Sequence, residues 1–325
     1  MTVRRRFEDW LHRRWYSGKR VGWSLAAAER LYAGAIGAPR RPPGIPPCPV
    51  IVVGNLVAGG SGKTPVVAAI ARHLAAQGRA VALIARGYRS QAGRGPARVR
   101  VDATAREFGD EALELVGSTG LPMWVGRDRA AALSAAVAAG ADVVVSDDGL
   151  QHAKLPRSFE ICVVDARRGF GNGRLLPAGP LRQPLSRLEN VDLVLIKRRD
   201  QPADDLPDGA WFALDAEPLR PLRGHGQPPK SGAVVDAVAG IADPTALFER
   251  LQRLGLLLRE HPLGDHAEIP RAWLAGLPGP VVMTAKDAAR LGDPGRDDAF
   301  VLPVRAVLPA GVLQRIAAHV REFGA

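Results

Sequence analysis

The sequence contains few cysteines and few aromatic residues, and it lacks any long apolar run. Its 325 residues include only two cysteines, Cys48 and Cys162, without the paired spacing of a metal or redox site. Aromatic residues make up 5% and hydrophobic residues 46%, a balance that fits a well-buried α/β protein. Because we find neither a cleavable signal nor an apolar run that could span a bilayer, we expect a cytoplasmic location.

Sequence patterns for reading nucleic acid or guanine are also missing. We find no helix-turn-helix, ribonucleoprotein or zinc pattern, no Asn-Lys-x-Asp motif and no internal repeat. The formal net charge is nevertheless +11. A charge of this size indicates an anionic partner, and it leaves nucleic acid, an acidic membrane face and phosphorylated substrates open.

A glycine-rich stretch gives the strongest functional signal. An apolar run at 50–54 precedes Gly59-Gly60-Ser61-Gly62-Lys63-Thr64-Pro65, and a helical pattern follows at 66–74. Glycines let successive N–H groups point inward, and Lys63 adds a full charge for phosphates. An ordinary glycine-rich turn is the alternative. A strict phosphate-binding loop has glycine at the position where this chain has Val57. We predict that ATP is bound by Val57, Ala58, Gly59, Gly60, Ser61, Gly62, Lys63 and Thr64.

A second apolar run ends in two carboxylates. Val143-Val144-Val145 leads into Ser146-Asp147-Asp148, and open α/β sheets place their ligands at this end of a strand. An acidic strand beside a phosphate loop can hold Mg²⁺, and a hydroxyl at Thr64 suits the same ion. A polar turn after a strand is the alternative. We predict that the Mg²⁺ ligands are drawn from Thr64, Asp147, Asp148 and Gln151.

The alternation of strands and helices predicts a phosphate-loop NTPase-like parallel sheet covered by helices, with a smaller C-terminal α/β domain. Predicted strands lie at 50–54, 80–84, 142–145, 161–164, 191–196, 233–238, 280–283 and 300–302, and predicted helices at 244–254 and 311–323. The stretch at 201–232 is dense in Pro, Gly and Asp and indicates a boundary. The predicted divisions are an N-terminal helical segment at 1–45, a phosphate-loop core at 46–225 and a C-terminal domain at 226–325.

The N-terminal segment combines basic and aromatic residues. Such a mixture is typical of helices at the headgroup level of a membrane, where aromatic rings are favoured and cations meet anionic lipid. A helical hairpin that packs on the core is the alternative. The residues in question are Arg4, Arg5, Arg6, Arg13, Arg14, Lys19 and Arg20, interleaved with Trp10, Trp15, Tyr16 and Trp23.

Several motifs together resemble the tetraacyldisaccharide 4′-kinase family of lipid A biosynthesis. They are Gly54-Asn55 with Gly59 to Pro65, Arg86-Gly87-Tyr88, Gly109-Asp110-Glu111, Asp147 to His152, and Gly171 to Arg182, in the family's order. The resemblance implies transfer of the ATP γ-phosphoryl to the 4′-hydroxyl of a tetraacyl glucosamine disaccharide 1-phosphate. It also implies a peripheral place at the cytoplasmic face of the inner membrane of a Gram-negative bacterium.

The resemblance also implies roles for individual residues. Asp110 matches the proposed catalytic base, and His266, in Gly264-Asp265-His266, matches the histidine that pairs with it. Lys63 matches a residue that acts on the phosphates. Read without the family, Asp110 is an acid at a helix start, and ion pairing is a fair alternative for each arginine. The residues that match the acceptor side are Arg86, Tyr88, Arg129, His152 and Arg182.

The chain departs from the family pattern at two positions. Gln183 stands where an acidic residue usually follows Leu181-Arg182, and Ala285 stands in Thr284-Ala285-Lys286-Asp287 where glutamate is usual. If the usual acid helps to hold magnesium, that role is weakened here, moved to Asp147 or Asp148, or not needed.

Two other classes of protein remain alternatives. A partitioning or maturation ATPase shares the loop, but its dimeric type carries a lysine where Ala58 stands. A nucleic-acid-dependent ATPase would use the positive charge. The expected partners are the lipid A precursor and an anionic membrane surface, with no nucleic acid and no obligate protein partner.

Overall fold

The computed structural model describes residues 10–11, 13–17, 21–36, 44–87, 95–100, 102–198 and 202–324. The chain forms two compact units, and each unit is built from separate segments. Unit 1 comprises Met1–Lys63, Asp142–Ala213 and Leu308–Ala325, and unit 2 comprises Thr64–Ala141 and Leu214–Val307. Among the described residues, no helix is long and apolar enough to cross a membrane. The division of the chain at residues 45 and 225 stays a prediction.

Strands and helices are numbered along the chain. The strands are β1 Val50–Gly54, β2 Val81–Ala85, β3 Ala97–Arg98, β4 Met123–Val125, β5 Val143–Asp147, β6 Phe159–Asp165, β7 Leu193–Lys197, β8 Ala210–Ala216, β9 Arg220–Pro221, β10 Val234–Ala239, β11 Leu257–Pro262, β12 Val281–Thr284, β13 Ala299–Leu302 and β14 Val304–Val307. The α-helices are α1 Trp23–Ile36, α2 Lys63–Ala76, α3 Ala105–Phe108, α4 Asp110–Thr119, α5 Arg129–Ala138, α6 Thr245–Arg253, α7 Arg271–Ala275, α8 Ala285–Leu291 and α9 Ala310–Glu322. A short 3₁₀ helix lies at Leu185–Asn190.

Unit 1 contains a parallel sheet in the order β8, β7, β6, β1, β5. Val52 of β1 lies opposite Ser146 of β5 on one side and Glu160 of β6 on the other. Every residue of β1, β5 and β6 is buried. Continuous apolar runs of this kind are typical of parallel strands that are covered on both faces. The carboxyl ends of these strands therefore form one edge, where the phosphate loop begins.

Unit 2 contains two sets of paired strands, and the second set is a complete five-stranded sheet. The first has the order β2, β4, β3, and only β3 is antiparallel to its neighbour. The second has the order β11, β10, β12, β13, β9, and only β9 is antiparallel. In β10, Val235 and Ala237 share a buried cluster with Leu251 of α6, whereas Val238 packs with Leu274 of α7. The alternation along β10 thus buries both faces of the second sheet.

The predicted strands and the two predicted C-terminal helices are confirmed, with ends shifted by at most two residues. Six strands, β3, β4, β8, β9, β11 and β14, were not predicted. Strand β8 lies inside the stretch dense in Pro, Gly and Asp, where Phe212 is buried but Trp211 is 37% exposed. Strand β11 is an edge strand that carries Arg259 and Glu260, and edge positions tolerate charges that weaken the apolar pattern.

Gly54, the last residue of β1, permits a close approach inside unit 1. A Cβ at this position would lie 2.6 Å from Cγ of Leu150, which is itself buried. Because Cγ is not the far end of a flexible side chain, Leu150 cannot move aside without a change in packing. We expect Gly54→Ala to destabilise the fold by about 1–3 kcal/mol, the usual cost of overpacking. Urea unfolding followed by circular dichroism measures this change.

Gly117 in α4 is the matched control. A Cβ there meets nothing within 4 Å. Gly117→Ala should leave stability unchanged or raise it by about 0.5–1 kcal/mol, since glycine disfavours a helix. Gly54→Ala should destabilise a Leu150→Ala background less than it destabilises the parent chain, because the clashing side chain is absent there. Equal stability of the Gly54→Ala variant and the parent chain would contradict this packing argument.

Candidate active site

The predicted site residues are distributed over both units, and each group is described within its own unit. In unit 1 the phosphate loop runs from the end of β1 to the start of α2. Gly59 and Gly62 have φ of 100° and 86°, a region that favours glycine. The amide of Asn55 donates to the carbonyl oxygen of Gly59 at 3.3 Å. The hydroxyl of Ser61 is buried and has no hydrogen-bond partner among the described residues. The loop therefore has the backbone turns and an unused polar group that an anion site needs.

A second loop, residues 174–182, braces the phosphate loop. Ala58 N–H donates to the carbonyl oxygen of Pro180 at 2.8 Å, and Arg182 N–H donates to that of Leu56 at 2.7 Å. Val57 and Leu181 form an antiparallel bridge between the two loops. These backbone contacts fix Val57 and Ala58, the first two residues of the predicted nucleotide loop.

Asp147 and Asp148 lie at the carboxyl end of β5. Asp147 is 3% exposed and ends the strand. Asp148 adopts the left-handed φ of 50°, which is uncommon for a residue with a side chain. Its carboxylate lies 3.5 Å from Nζ of Lys63 and accepts from Nη1 of Arg182 at 3.0 and 3.1 Å. Unit 1 thus brings Lys63, Asp148 and Arg182 together.

Gln151 lies close to these groups. Its amide nitrogen donates to the carbonyl oxygen of Asn55 at 2.8 Å and to Oε1 of Gln183 at 3.3 Å. Gln183, the neutral replacement for the family's acid, therefore contacts one predicted metal residue through an amide. The carbonyl oxygen of His152 accepts from Arg157. The roles of Gln151 and His152 stay predictions.

A buried charge cluster next to residues 149–152 was not predicted from the sequence. Arg157 is buried and donates to the carbonyl oxygens of Gly149 at 3.1 Å and Leu150 at 3.3 Å. Glu160 accepts from Arg157 at 3.0 Å and from Arg187 at 2.5 Å. A glutamate inside the apolar strand β6 was the signal that could have indicated this cluster, because charges are rarely buried unless they are paired.

In unit 2, Asp110 and His266 are in contact. Asp110 is the first residue of α4, and its Oδ2 accepts from Nδ1 of His266 at 2.9 Å and from Nη2 of Arg290 at 3.0 Å. His266 has a φ of 56°, and its backbone N–H donates to the carbonyl oxygen of Gly240 at 3.0 Å. Asp148 and His266 are the only non-glycine residues with positive φ among those the structure describes. Backbone strain of this kind concentrates at functional sites.

The charges around Asp110 keep it ionised. Burial would raise the pKa of Asp110, but the hydrogen bond from His266 and the charges of Lys286 and Arg290 hold it well below its ordinary value. Burial would likewise lower the pKa of Lys286, but Glu111, 2.8 Å away, and Asp110 raise it. Asp287 accepts from Gly240 N–H at 3.1 Å and from Arg290 at 3.2 Å.

Three predicted acceptor residues remain to be placed. Arg86 follows β2 and is exposed. Arg129 is the first residue of α5 and is 5% exposed, with its helix capped by the side chain of Asp128. Tyr88 lies outside the described residues. The roles of these three residues stay predictions.

Several known tetraacyldisaccharide 4′-kinases are similar to this chain. Residues 21–321 match the family model described as LpxK, tetraacyldisaccharide-1-P 4′-kinase. A tetraacyldisaccharide 4′-kinase of Alkalilimnicola ehrlichii is 45% identical, covering 85% of this chain and 84% of that protein. One of Stenotrophomonas maltophilia is 40% identical, covering 91% and 92%. A solved structure of LpxK from Aquifex aeolicus in complex with ATP has a TM-score of 0.73 at 24% identity, covering 91% of this chain and 98% of that one. This likeness confirms the predicted fold class.

The contact between Asp110 and His266 leads to a prediction about titration. Because His266 donates to the ionised carboxylate, His266→Ala should raise the pKa of Asp110. The native contribution of Asp110 to stability is present above its unfolded pKa and is lost as pH falls through its lowered native pKa. The variant should lose that contribution at a higher pH. Carboxyl carbon NMR titration should show a higher pKa of Asp110 in the variant than in the parent chain.

Asp236 provides the internal control for this titration. Its pKa is also held low, by Arg259 and by a 2.9 Å contact with His261. It should titrate identically in the parent chain and in His266→Ala. An unchanged pKa of Asp110 in the variant would show that the contact has no energetic weight.

Proposed function

The chain belongs to the tetraacyldisaccharide-1-P 4′-kinase family, and we propose that its phosphate loop and its Asp110–His266 pair are the machinery of that kinase. The enzyme transfers the γ-phosphoryl of ATP to the 4′-hydroxyl of a tetraacyl disaccharide 1-phosphate. The match over residues 21–321 carries this assignment. The partitioning, maturation and nucleic-acid-dependent ATPases are not favoured.

The phosphate loop would bind the ATP phosphates through backbone N–H groups and Lys63. Two glycines with positive φ and the buried hydroxyl of Ser61 support this proposal. Asp148 would hold the side chains of Lys63 and Arg182 in place and would not contact the nucleotide, because it already contacts both side chains. We assign Arg182 to contact the transferred phosphoryl group. Guanidinium groups suit phosphate oxygens, and this guanidinium is held beside Lys63.

The donor groups at the end of β5 fit Mg²⁺. The ion prefers oxygen ligands and usually combines one or two carboxylates with phosphate oxygens and water. Asp147 is buried, and within the described part of the chain the neighbouring hydroxyl of Ser146 is buried without a hydrogen-bond partner. Asp147 would hold the ion, and the role of Thr64 stays a prediction. When it is bound, Mg²⁺ neutralises charge that develops on the phosphate oxygens.

Asp110 would accept the proton of the acceptor hydroxyl. Phosphoryl transfer asks the protein mainly to position the nucleophile and to stabilise charge, so a base of low pKa suffices if it is ionised and fixed. Asp110 has both properties, because His266 and Arg290 contact its Oδ2. His266 would orient the carboxylate and stabilise its charge.

The acceptor substrate requires access to a membrane surface. Four acyl chains anchor a lipid far more firmly than the single chain that gives marginal binding. Helix α1 has no buried residue, and Trp23 and Leu31 are 86% and 79% exposed. Ala27 and Ala35 share the helical spacing of these two residues. This apolar stripe and the basic residues before it support peripheral binding at the cytoplasmic face of the inner membrane. Arg4, Arg5, Arg6, Lys19 and Arg20 lie outside the described residues.

Variants of Lys63 and Asp110 should separate nucleotide binding from proton transfer. Lys63→Ala should abolish phosphoryl transfer because the loop loses its charge for the phosphates. Asp110→Ala should bind ATP normally, and its turnover should fall by roughly 10²-fold or more, the scale of a general base. Radiolabelled transfer to the tetraacyl disaccharide measures turnover, and a fluorescent ATP analogue measures binding.

Asp102, which is 81% exposed beside Arg100, is the control carboxylate. Asp102→Ala should keep full turnover and full ATP binding. Near-normal turnover of Asp110→Ala would exclude Asp110 as the base. Loss of ATP binding in the same variant would place it in the nucleotide site instead.

The apolar stripe of α1 should control binding to lipid. Trp23→Ser combined with Leu31→Ser should lower co-sedimentation with anionic vesicles and activity on vesicle-embedded substrate, with ATP binding retained. Leu254 and Leu257 are also exposed, and Leu254→Ser with Leu257→Ser should leave vesicle binding unchanged. Undiminished vesicle binding of the Trp23 and Leu31 variant would mean that the stripe does not contact lipid.

A further inference from the structure

Helix α1 is joined to the rest of unit 1 through polar contacts. Glu29, the single acidic residue of this helix, accepts from Arg174 at 2.8 and 2.5 Å. Its other oxygen accepts from the backbone N–H of Leu175 at 2.8 Å. The side chain of Glu29 is only 14% exposed, although α1 has no buried residue. Apolar packing therefore contributes little to this attachment, and the carboxylate is its centre.

Glu29 contacts the start of a closed loop. Leu181 N–H donates to the carbonyl oxygen of Arg174 at 3.0 Å, and Leu176 N–H donates to that of Leu181 at 2.8 Å. Gly179 completes the turn, because an added Cβ would collide with the carbonyl oxygen of Arg174. The two ends of the loop are thereby held together, so a contact at residue 174 also restrains residue 181.

A second residue of α1 holds the other end of this loop. The hydroxyl of Tyr32 donates to the carbonyl oxygen of Arg182 at 3.0 Å. Arg182 N–H in turn donates to Leu56 at 2.7 Å, and its guanidinium contacts Asp148. Glu29 and Tyr32 are three residues apart and lie on the same side of the helix. Helix α1 thus contacts both ends of the segment that braces the phosphate loop.

We infer that Glu29 and Tyr32 are positioning residues for the phosphate loop, so that α1 belongs to the nucleotide site as well as to the lipid-facing surface. Loss of Glu29 leaves the N–H of Leu175 and the guanidinium of Arg174 without this acceptor. The loop at 174–182, called the brace, then becomes more mobile. The contacts of Leu56 and Ala58 with the brace are then populated less of the time. The identification of the nucleotide as ATP rests on the proposed function.

The test uses the full chain and three substitutions in α1. Glu29→Gln removes the charge at similar size, and Tyr32→Phe removes one hydroxyl. Arg30→Gln is the control, because Arg30 lies in the same helix and is exposed. The dissociation constant of a fluorescent ATP analogue is measured without acceptor, together with kcat, KM for ATP and binding to anionic vesicles.

We expect Glu29→Gln to weaken ATP binding roughly tenfold, the scale of one hydrogen bond to a charged group, with vesicle binding unchanged. Tyr32→Phe should weaken it about threefold, and Arg30→Gln should not change it. KM for ATP should rise more than kcat falls. If Glu29→Gln does not fold, Tyr32→Phe decides by the same measurement.

A lowered unfolding temperature with unchanged ATP affinity would assign both residues a structural role and overturn the inference. Weaker vesicle binding with unchanged ATP affinity would overturn it too, since α1 would then act only on lipid. Failure of the proposed function is recognised by a different measurement. A parent chain that binds ATP but does not phosphorylate the tetraacyl disaccharide refutes that function and leaves the ATP-affinity test intact.

Discussion

Two cations meet one carboxylate at the carboxyl end of β5. Lys63 and Arg182 both contact Asp148, and their side chains are only 12% and 28% exposed. Partial burial makes two neighbouring positive charges costly unless an anion lies between them. Asp148 supplies that anion from a left-handed backbone position. ATP phosphates would enter a site whose cations are already in place, so little side-chain ordering would be required on binding.

Unit 2 uses the same physical device, an anion among cationic side chains. One buried carboxylate, Asp110, is surrounded by His266, Arg290 and Lys286. Glu111 compensates Lys286, and Asp287 compensates Arg290. The result is an ionised and fixed carboxylate. Fixed charge of this kind requires no reorganisation during a reaction, which is the property that electrostatic catalysis depends on.

Much of the fold could be predicted because its strands are continuous apolar runs. The phosphate loop and the acidic end of β5 were also visible, since both are local patterns. The pairing of Asp110 with His266 could not be predicted from local patterns. The two residues are 156 positions apart, and neither lies in a motif that indicates catalysis by itself. Only the family resemblance pointed to it. Arg157, Glu29 and Tyr32 were missed for a related reason. Their function depends on partners that the sequence does not place beside them.

The central claim is that this chain phosphorylates a lipid disaccharide and is not an ATPase of another kind. The most direct measurement combines the parent chain with ATP, Mg²⁺ and tetraacyl disaccharide 1-phosphate in anionic mixed micelles, and locates the new phosphate by phosphorus and proton NMR. We expect one phosphate to be added at the 4′ position for each ATP consumed. ATP consumption that is stimulated by polynucleotide or by a protein partner, with no phosphate on the lipid, would contradict it.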